Sequence, residues 1–134
     1  MEKVVIDTNV LVSSLLSTGS KPHIIMSLVS RKELLLFYSR FMLNEYKRVL
    51  AYKKLNIAPD LQEEAIKKIL ELGSIIDPPI SNVSLGHEDD RIFYDAAKFT
   101  KSILITGNIK HYPIDSKIMT PANFLEEFDY NWLT

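Results

Sequence analysis

The sequence predicts an α/β domain, a mostly parallel central sheet covered by helices. Short apolar, β-rich runs alternate with longer segments of helical period, the order that builds parallel sheets. The runs also lack the polar alternation of a strand with one wet face. The chain has 134 residues, 46% of them hydrophobic. That is enough for one domain with its own core and short for two, so residues 1–134 are read as a single domain.

Val4-Val5-Ile6 reads as the first strand, Leu34-Leu35-Leu36-Phe37 as the second, Ile75-Ile76 as a short third and Ile103-Leu104-Ile105 as the fourth. All four are expected to be buried on both faces. Helical spacing covers residues 24–29, 41–50, 61–72 and 91–100. Ser39 and Asp60 are the expected N-caps of the second and third of these. The helix after Pro59 places Leu61, Ala65, Ile66, Ile69 and Leu70 on one side and pairs Glu63 with Lys67 and Glu64 with Lys68. Pro78-Pro79 and Ser81-Asn82-Val83-Ser84 mark a loop. Lys117-Ile118-Met119 reads as a short edge strand, and Pro121 suits the first turn of a last helix. Phe124, Phe128, Tyr130 and Trp132 are candidates for a partner or dimer surface, or for packing that helix on the core.

Composition removes several function classes. Sixteen basic against seventeen acidic side chains leave no net charge bias toward an anionic partner, so such a partner must be met locally. The absence of cysteine excludes disulfide scaffolds, thiolate metal sites and cysteine nucleophiles, and fits a cytoplasmic setting. The opening residues lack the long apolar stretch of a secretion signal. No uncharged apolar run approaches the ~20 residues of a bilayer span, so no membrane partner is expected. The glycines at 19, 73, 86 and 107 match neither a dinucleotide nor a phosphate-loop fingerprint. His23, His87 and His111 read as surface or turn residues, and no serine sits in a nucleophile-elbow setting.

In an open α/β sheet, functional groups gather at the carboxyl ends of the strands. The first run ends in Asp7-Thr8-Asn9 and the fourth in Thr106-Gly107-Asn108. Any one of these polar residues alone is accounted for by capping or turn formation. Glu45 falls roughly 100° from the centre of its helix's apolar stripe, a boundary that fits a carboxylate leaning into a cleft and equally an ordinary surface glutamate, while Arg48 lies farther toward solvent. Asp89 and Asp90 open the next helix, where free amides favour acids. Asp95, off the apolar stripe on the other flank, reads as solvated, and periodicity does not choose among the three. Asp7, Glu45 and one of Asp89 or Asp90 would supply hard oxygen ligands suited to Mg²⁺ or Mn²⁺, which polarises a phosphodiester and activates water. Arg40, Lys47, Arg48, Lys53 and Lys54 face only Glu45 as counter-charge, with Phe41, Tyr46 and Tyr52 interleaved. This stretch is a candidate for holding a phosphate backbone and stacking bases, and equally for a solvated helix face.

Three stretches of these residues resemble the PIN-domain nucleases, in particular the VapC-type toxins of toxin–antitoxin pairs. They are Val4-Val5-Ile6-Asp7-Thr8-Asn9-Val10-Leu11, Glu45 ahead of Arg48-Val49-Leu50, and Asp90-Arg91-Ile92-Phe93-Tyr94-Asp95-Ala96-Ala97 leading to Leu104-Ile105-Thr106-Gly107-Asn108. The closing Met119-Thr120-Pro121-Ala122-Asn123-Phe124-Leu125 is similar too. The resemblance implies a three-layer α/β/α sandwich and a Mg²⁺- or Mn²⁺-dependent endoribonuclease, commonly a homodimer held in check by a cognate antitoxin. It makes Asp7, Glu45 and Asp90 the metal-binding catalytic carboxylates and Asn9, Thr106 and Asn108 supporting polar residues. It selects Asp90 over Asp89 by its interval to Thr106. A fourth acidic residue, placed by many relatives two or five positions after that threonine, is replaced here by Asn108 and His111. That substitution leaves open a catalytically weak module that binds RNA or a protein, and the ligand chemistry also serves a nuclease acting on DNA or small nucleotides.

Overall fold

The computed structural model describes residues 1–128. Five strands, β1 (Glu2–Ile6), β2 (Leu34–Ser39), β3 (Ser74–Ile76), β4 (Ile103–Ile105) and β5 (Ile118–Met119), form one sheet in the order β3-β2-β1-β4-β5. Every pairing is parallel. Six helices flank it in an α/β/α arrangement: α1 (Thr8–Leu16), α2 (Lys21–Ser30), α3 (Arg40–Leu50), α4 (Pro59–Leu72), α5 (Arg91–Thr100) and α6 (Pro121–Phe128).

The chain winds outward from β1 through β2 to β3, then crosses back to lay β4 and β5 on the other side of β1. The strand order therefore reverses between β1 and β4, and a doubly wound sheet opens a crevice beyond its carboxyl ends at such a point. The ladders carry on into that crevice. The Asp7 amide donates to Ile105 O at 3.0 Å and the Thr106 amide to Met119 O at 2.9 Å.

β1 and β4 are buried as their apolar runs require, with Val4, Val5, Ile6, Leu104 and Ile105 almost wholly sealed. The expectation of two buried faces fails at the sheet's edge. β3 has a neighbour on one side only, and Ile75 is 63% exposed. β2 alternates between buried and half-buried positions. β5 occupies the opposite edge, as read from the sequence.

Ser39 caps α3 by accepting from the Met42 amide at 3.2 Å. The expected Asp60 cap is displaced: α4 starts earlier, with Pro59 in its first turn and Ala58 before it, so Asp60 lies inside the helix where the dipole favours acid. Leu61 and Leu70 of α4 stay half exposed, while Ala65 and Ile69 pack inward. Lys68 pairs with Glu64 at 3.4 Å, but Lys67 pairs with Glu71 and not with Glu63. Asp95, expected in solvent, is buried, and its Oδ2 accepts the Ser81 amide at 3.0 Å, tying the proline-rich loop to α5. Phe124 is sealed in the core and stacks near Phe128, ring centres 5.0 Å apart, so it is not a surface residue. Tyr130 and Trp132 lie outside the described residues. Among the described residues no helix is long and apolar enough to cross a membrane.

Candidate functional site

Asp7 follows β1 directly and caps α1, the helix that the apolar pattern alone did not reveal. Its Oδ1 accepts the Thr8 amide at 2.8 Å, and its Oδ2 accepts two hydroxyls, Thr106 Oγ1 at 2.8 Å and Tyr112 OH at 2.9 Å. The residue is 4% exposed. Burial pushes its pKa above the ordinary 3.8; the hydroxyl hydrogen bonds oppose that rise, and the charge of Asp90 adds to it.

Glu45 reaches the same place from α3, with its side chain 17% exposed against 60% for Arg48. The boundary position read from the helical wheel is thus where it sits. The Thr8 hydroxyl donates to Glu45 Oε2, so Thr8 serves Asp7 with its backbone and Glu45 with its side chain. Arg48 lies 3.7 Å from Glu45 Oε1. Burial raises the Glu45 pKa, the Thr8 hydrogen bond opposes this, Asp7 raises it further, Arg48 lowers it, and Asp89 contributes a last upward push.

Asp90 closes a short 3₁₀ turn (Glu88–Asp90) where α5 begins, yet its side chain caps nothing. Its Oδ2 lies 3.0 Å from His111 Nδ1. Capping therefore does not explain this carboxylate. Asn9 Oδ1 accepts the Gly107 amide at 2.8 Å, clamping the turn after β4 to the start of α1. A Cβ at Gly107 would stand 3.0 Å from that oxygen, tighter than ordinary packing, which accounts for glycine there. Thr106 Oγ1 also accepts the Asn108 amide at 3.0 Å, so Asn108 joins the site through its backbone.

Asp7, Glu45, Asp89 and Asp90 thus share one field, with Asn9, Thr106 and Asn108 around them. Arg40, Lys47 and Arg48 line the exposed side of α3. Arg40 stands over Phe41 at 5.4 Å, and Arg48 donates to Tyr52 OH at 2.6 Å. Tyr46 is the exception in this stretch. It is sealed in the core, its hydroxyl donating to Ile6 O, and is unable to stack on a base.

Sequence reasoning missed Tyr112, Thr8 and His111. Tyr112 falls in a loop without periodicity, and Thr8 was visible only as part of a capping stretch. His111, read from the sequence as a turn residue at a position where relatives place an acid, does lie in a turn, with its ring on Asp90.

Among the described residues no group of three or more His, Cys, Asp and Glu side chains is closed around a single metal position. The donor set nevertheless suits a hard divalent cation: carboxylate oxygens from separate elements, partly buried, with the charge of Asp90 raising the proton affinity of Asp7, that of Asp7 raising Glu45, and one arginine beside them. Such an ion would turn their mutual repulsion into attraction.

The chain is 32% identical over 148 residues to the uncharacterized protein MJ1680 of Methanocaldococcus jannaschii, an alignment covering 95% of this chain and 92% of that protein. Among solved structures, it resembles the VapBC2 structure from Rickettsia felis bound to a DNA fragment from its promoter, with a TM-score of 0.56 at 18% identity, covering 81% of this chain and 89% of the other. A domain of a functionally unknown Methanocaldococcus jannaschii protein superposes with a TM-score of 0.52 at 18% identity, over 84% and 82% of the respective chains. At that identity both likenesses speak to the fold. The PIN domain family model matches residues 3–110, a span that contains Asp7, Glu45 and Asp90, and the chain belongs to the PIN domain family.

Proposed function

We propose that this PIN domain is a Mg²⁺- or Mn²⁺-dependent endoribonuclease, with Asp7, Glu45 and Asp90 as its metal-binding catalytic carboxylates. The observation that carries the reading is the convergence of Asp7 and Glu45, bridged by Thr8, at the point where the strand order reverses, with the charge of Asp7 raising the proton affinity of Glu45. When bound, a divalent cation polarises the phosphodiester and lowers the pKa of water. The chain's own residues do the rest. Thr106 and Tyr112 hold Asp7, Thr8 ties Asp7 to Glu45, and Asn9 fixes the turn that carries Thr106. Arg40, Lys47 and Arg48 contact the phosphate backbone, and Phe41 and Tyr52 offer exposed rings to unpaired bases.

The same reading makes the chain a single-domain cytoplasmic toxin of a type II toxin–antitoxin pair, acting as a homodimer and inhibited by a cognate antitoxin. The family match and the fold shared with a VapBC2 structure support that context. Asn108 and His111 at the usual fourth acidic positions favour one well-held ion, joined by a second only with substrate. They are also the observation behind the competing reading, a weakly catalytic module that binds RNA or protein.

The test is single-turnover cleavage of single-stranded RNA, structured RNA and DNA in Mn²⁺ and in chelator, beside Asp7→Asn. Metal-dependent RNA cleavage lost in the variant is expected. Preference for DNA would move the assignment to a deoxyribonuclease, and a rise in melting temperature with Mn²⁺ without cleavage would favour the binding module.

A further inference from the structure

The loop before α5 and the loop after β4 are joined by two histidines that the proposed mechanism does not use. The His87 and His111 rings stack with centres 3.9 Å apart and planes 22° apart. His87 precedes the turn that ends in Asp90, and its carbonyl accepts the Asp90 amide at 3.1 Å. His111 comes from the far loop, its amide donating to Asn108 O at 2.9 Å and its Nδ1 lying 3.0 Å from Asp90 Oδ2. Asp90 is therefore gripped twice, by the backbone of one stacked histidine and the ring of the other. Its side chain is 15% exposed and that of His111 33%.

We propose that His111, its ring plane fixed by His87, is a positioning residue for Asp90, holding its Oδ2 through a hydrogen bond. The inference rests on Asp90 being a metal ligand, as proposed above. An ionised carboxylate only accepts, so Nδ1 carries the proton and donates to Oδ2, leaving Oδ1 for the cation. A free carboxylate rotates and spreads its charge. One held at Oδ2 presents a single oxygen, which is how supporting partners commonly tune a ligand, with effects of about 10–100-fold on metal affinity or activity.

The experiment uses the whole chain at about pH 8, above the ordinary histidine range. A long-range ¹H–¹⁵N spectrum reports the His111 tautomer without metal, and calorimetry reports Mn²⁺ affinity. His111→Phe keeps a ring against His87 but removes the donor, whereas His111→Asn places an amide N–H near the position of Nδ1. The expected result is the Nδ1–H tautomer in the wild type, Mn²⁺ affinity lowered about tenfold or more by His111→Phe, and substantial recovery in His111→Asn. Melting temperatures in chelator should stay within about 2 °C of one another, which separates positioning from folding. An Nε2–H tautomer, unchanged affinity in His111→Phe, or no recovery in His111→Asn would overturn this role while leaving the metal site standing. A wild-type chain that binds no Mn²⁺ would overturn both. Should His111→Phe fail to fold, the tautomer and the asparagine variant still decide the question.

Discussion

The Tyr112 hydroxyl donates to Asp7 Oδ2 at 2.9 Å, joining the loop after β4 to the end of β1 across a separation of 105 residues. The bond links the last part of the site to the first, and it leaves both partners changed. Burial together with the charges of Asp7 and Asp90 drives the phenol far above its ordinary pKa of 10.0, which favours the protonated, donating form.

Tyr112→Phe removes this donor without adding a polar group, and Thr106 still serves the same oxygen. The expected cost is about 1.5–3 kcal/mol, the worth of a hydrogen bond to a charged group, measured by urea denaturation. A neutral outcome would mean that the hydroxyl exchanges Asp7 for water at no cost.

Stability in chelator should fall as pH rises above the ordinary carboxylate values of 3.8 and 4.5. Asp7 and Glu45 both have folded pKa values raised above their ordinary 3.8 and 4.5, principally by burial. Their contribution is complete below those ordinary values and is lost as pH climbs through the raised ones. Glu88 and Asp115, held low by Arg91 and Lys98, act in the opposite sense, but their contribution is lost only in more acidic solution, below this window. Melting curves across the range should show a shallower slope in Asp7→Asn than in the wild type. Mn²⁺ should flatten or invert the wild-type slope, because binding needs deprotonated ligands and strengthens with pH.

Arg40→Ala with Lys47→Ala should weaken single-stranded RNA binding uniformly across sequences. The slope of log affinity against log salt should become shallower by about 0.7 for each phosphate that the protein no longer neutralises. Fluorescence anisotropy at several salt concentrations measures this. An unchanged slope would assign the α3 face to solvent alone.

The fold was legible because each strand carries a short apolar run and each long helix but the first shows its period. α1 escaped because Val10, Leu11 and Val12 are buried in succession while its exposed side carries Leu16, so polarity does not mark the boundary between its faces. β3 misled because an apolar run says nothing about whether a further strand lies beside it, and Ile75 faces solvent at the edge. In the site, Asp7 and Thr106 were candidates from their places at strand ends and Glu45 from its boundary position on the helix, and the family resemblance singled them out. The choice of Asp90 came from family resemblance, and His111 and Tyr112 stayed hidden because contacts between loops leave no periodic trace. Asp95 read as solvated from its phase on α5 because the loop that covers it, anchored through Ser81, is invisible to the helix's own pattern.

Calorimetric titration of Mn²⁺ into the metal-free wild type, Asp7→Asn, Glu45→Gln and Asp90→Asn tests most directly whether three acids distant in sequence serve one ion. The expected result is a single tight site in the wild type, weakened about a hundredfold or more by each substitution, since losing a ligand costs at least as much as losing its supporting partner. Wild-type affinity retained in all three variants would contradict the account.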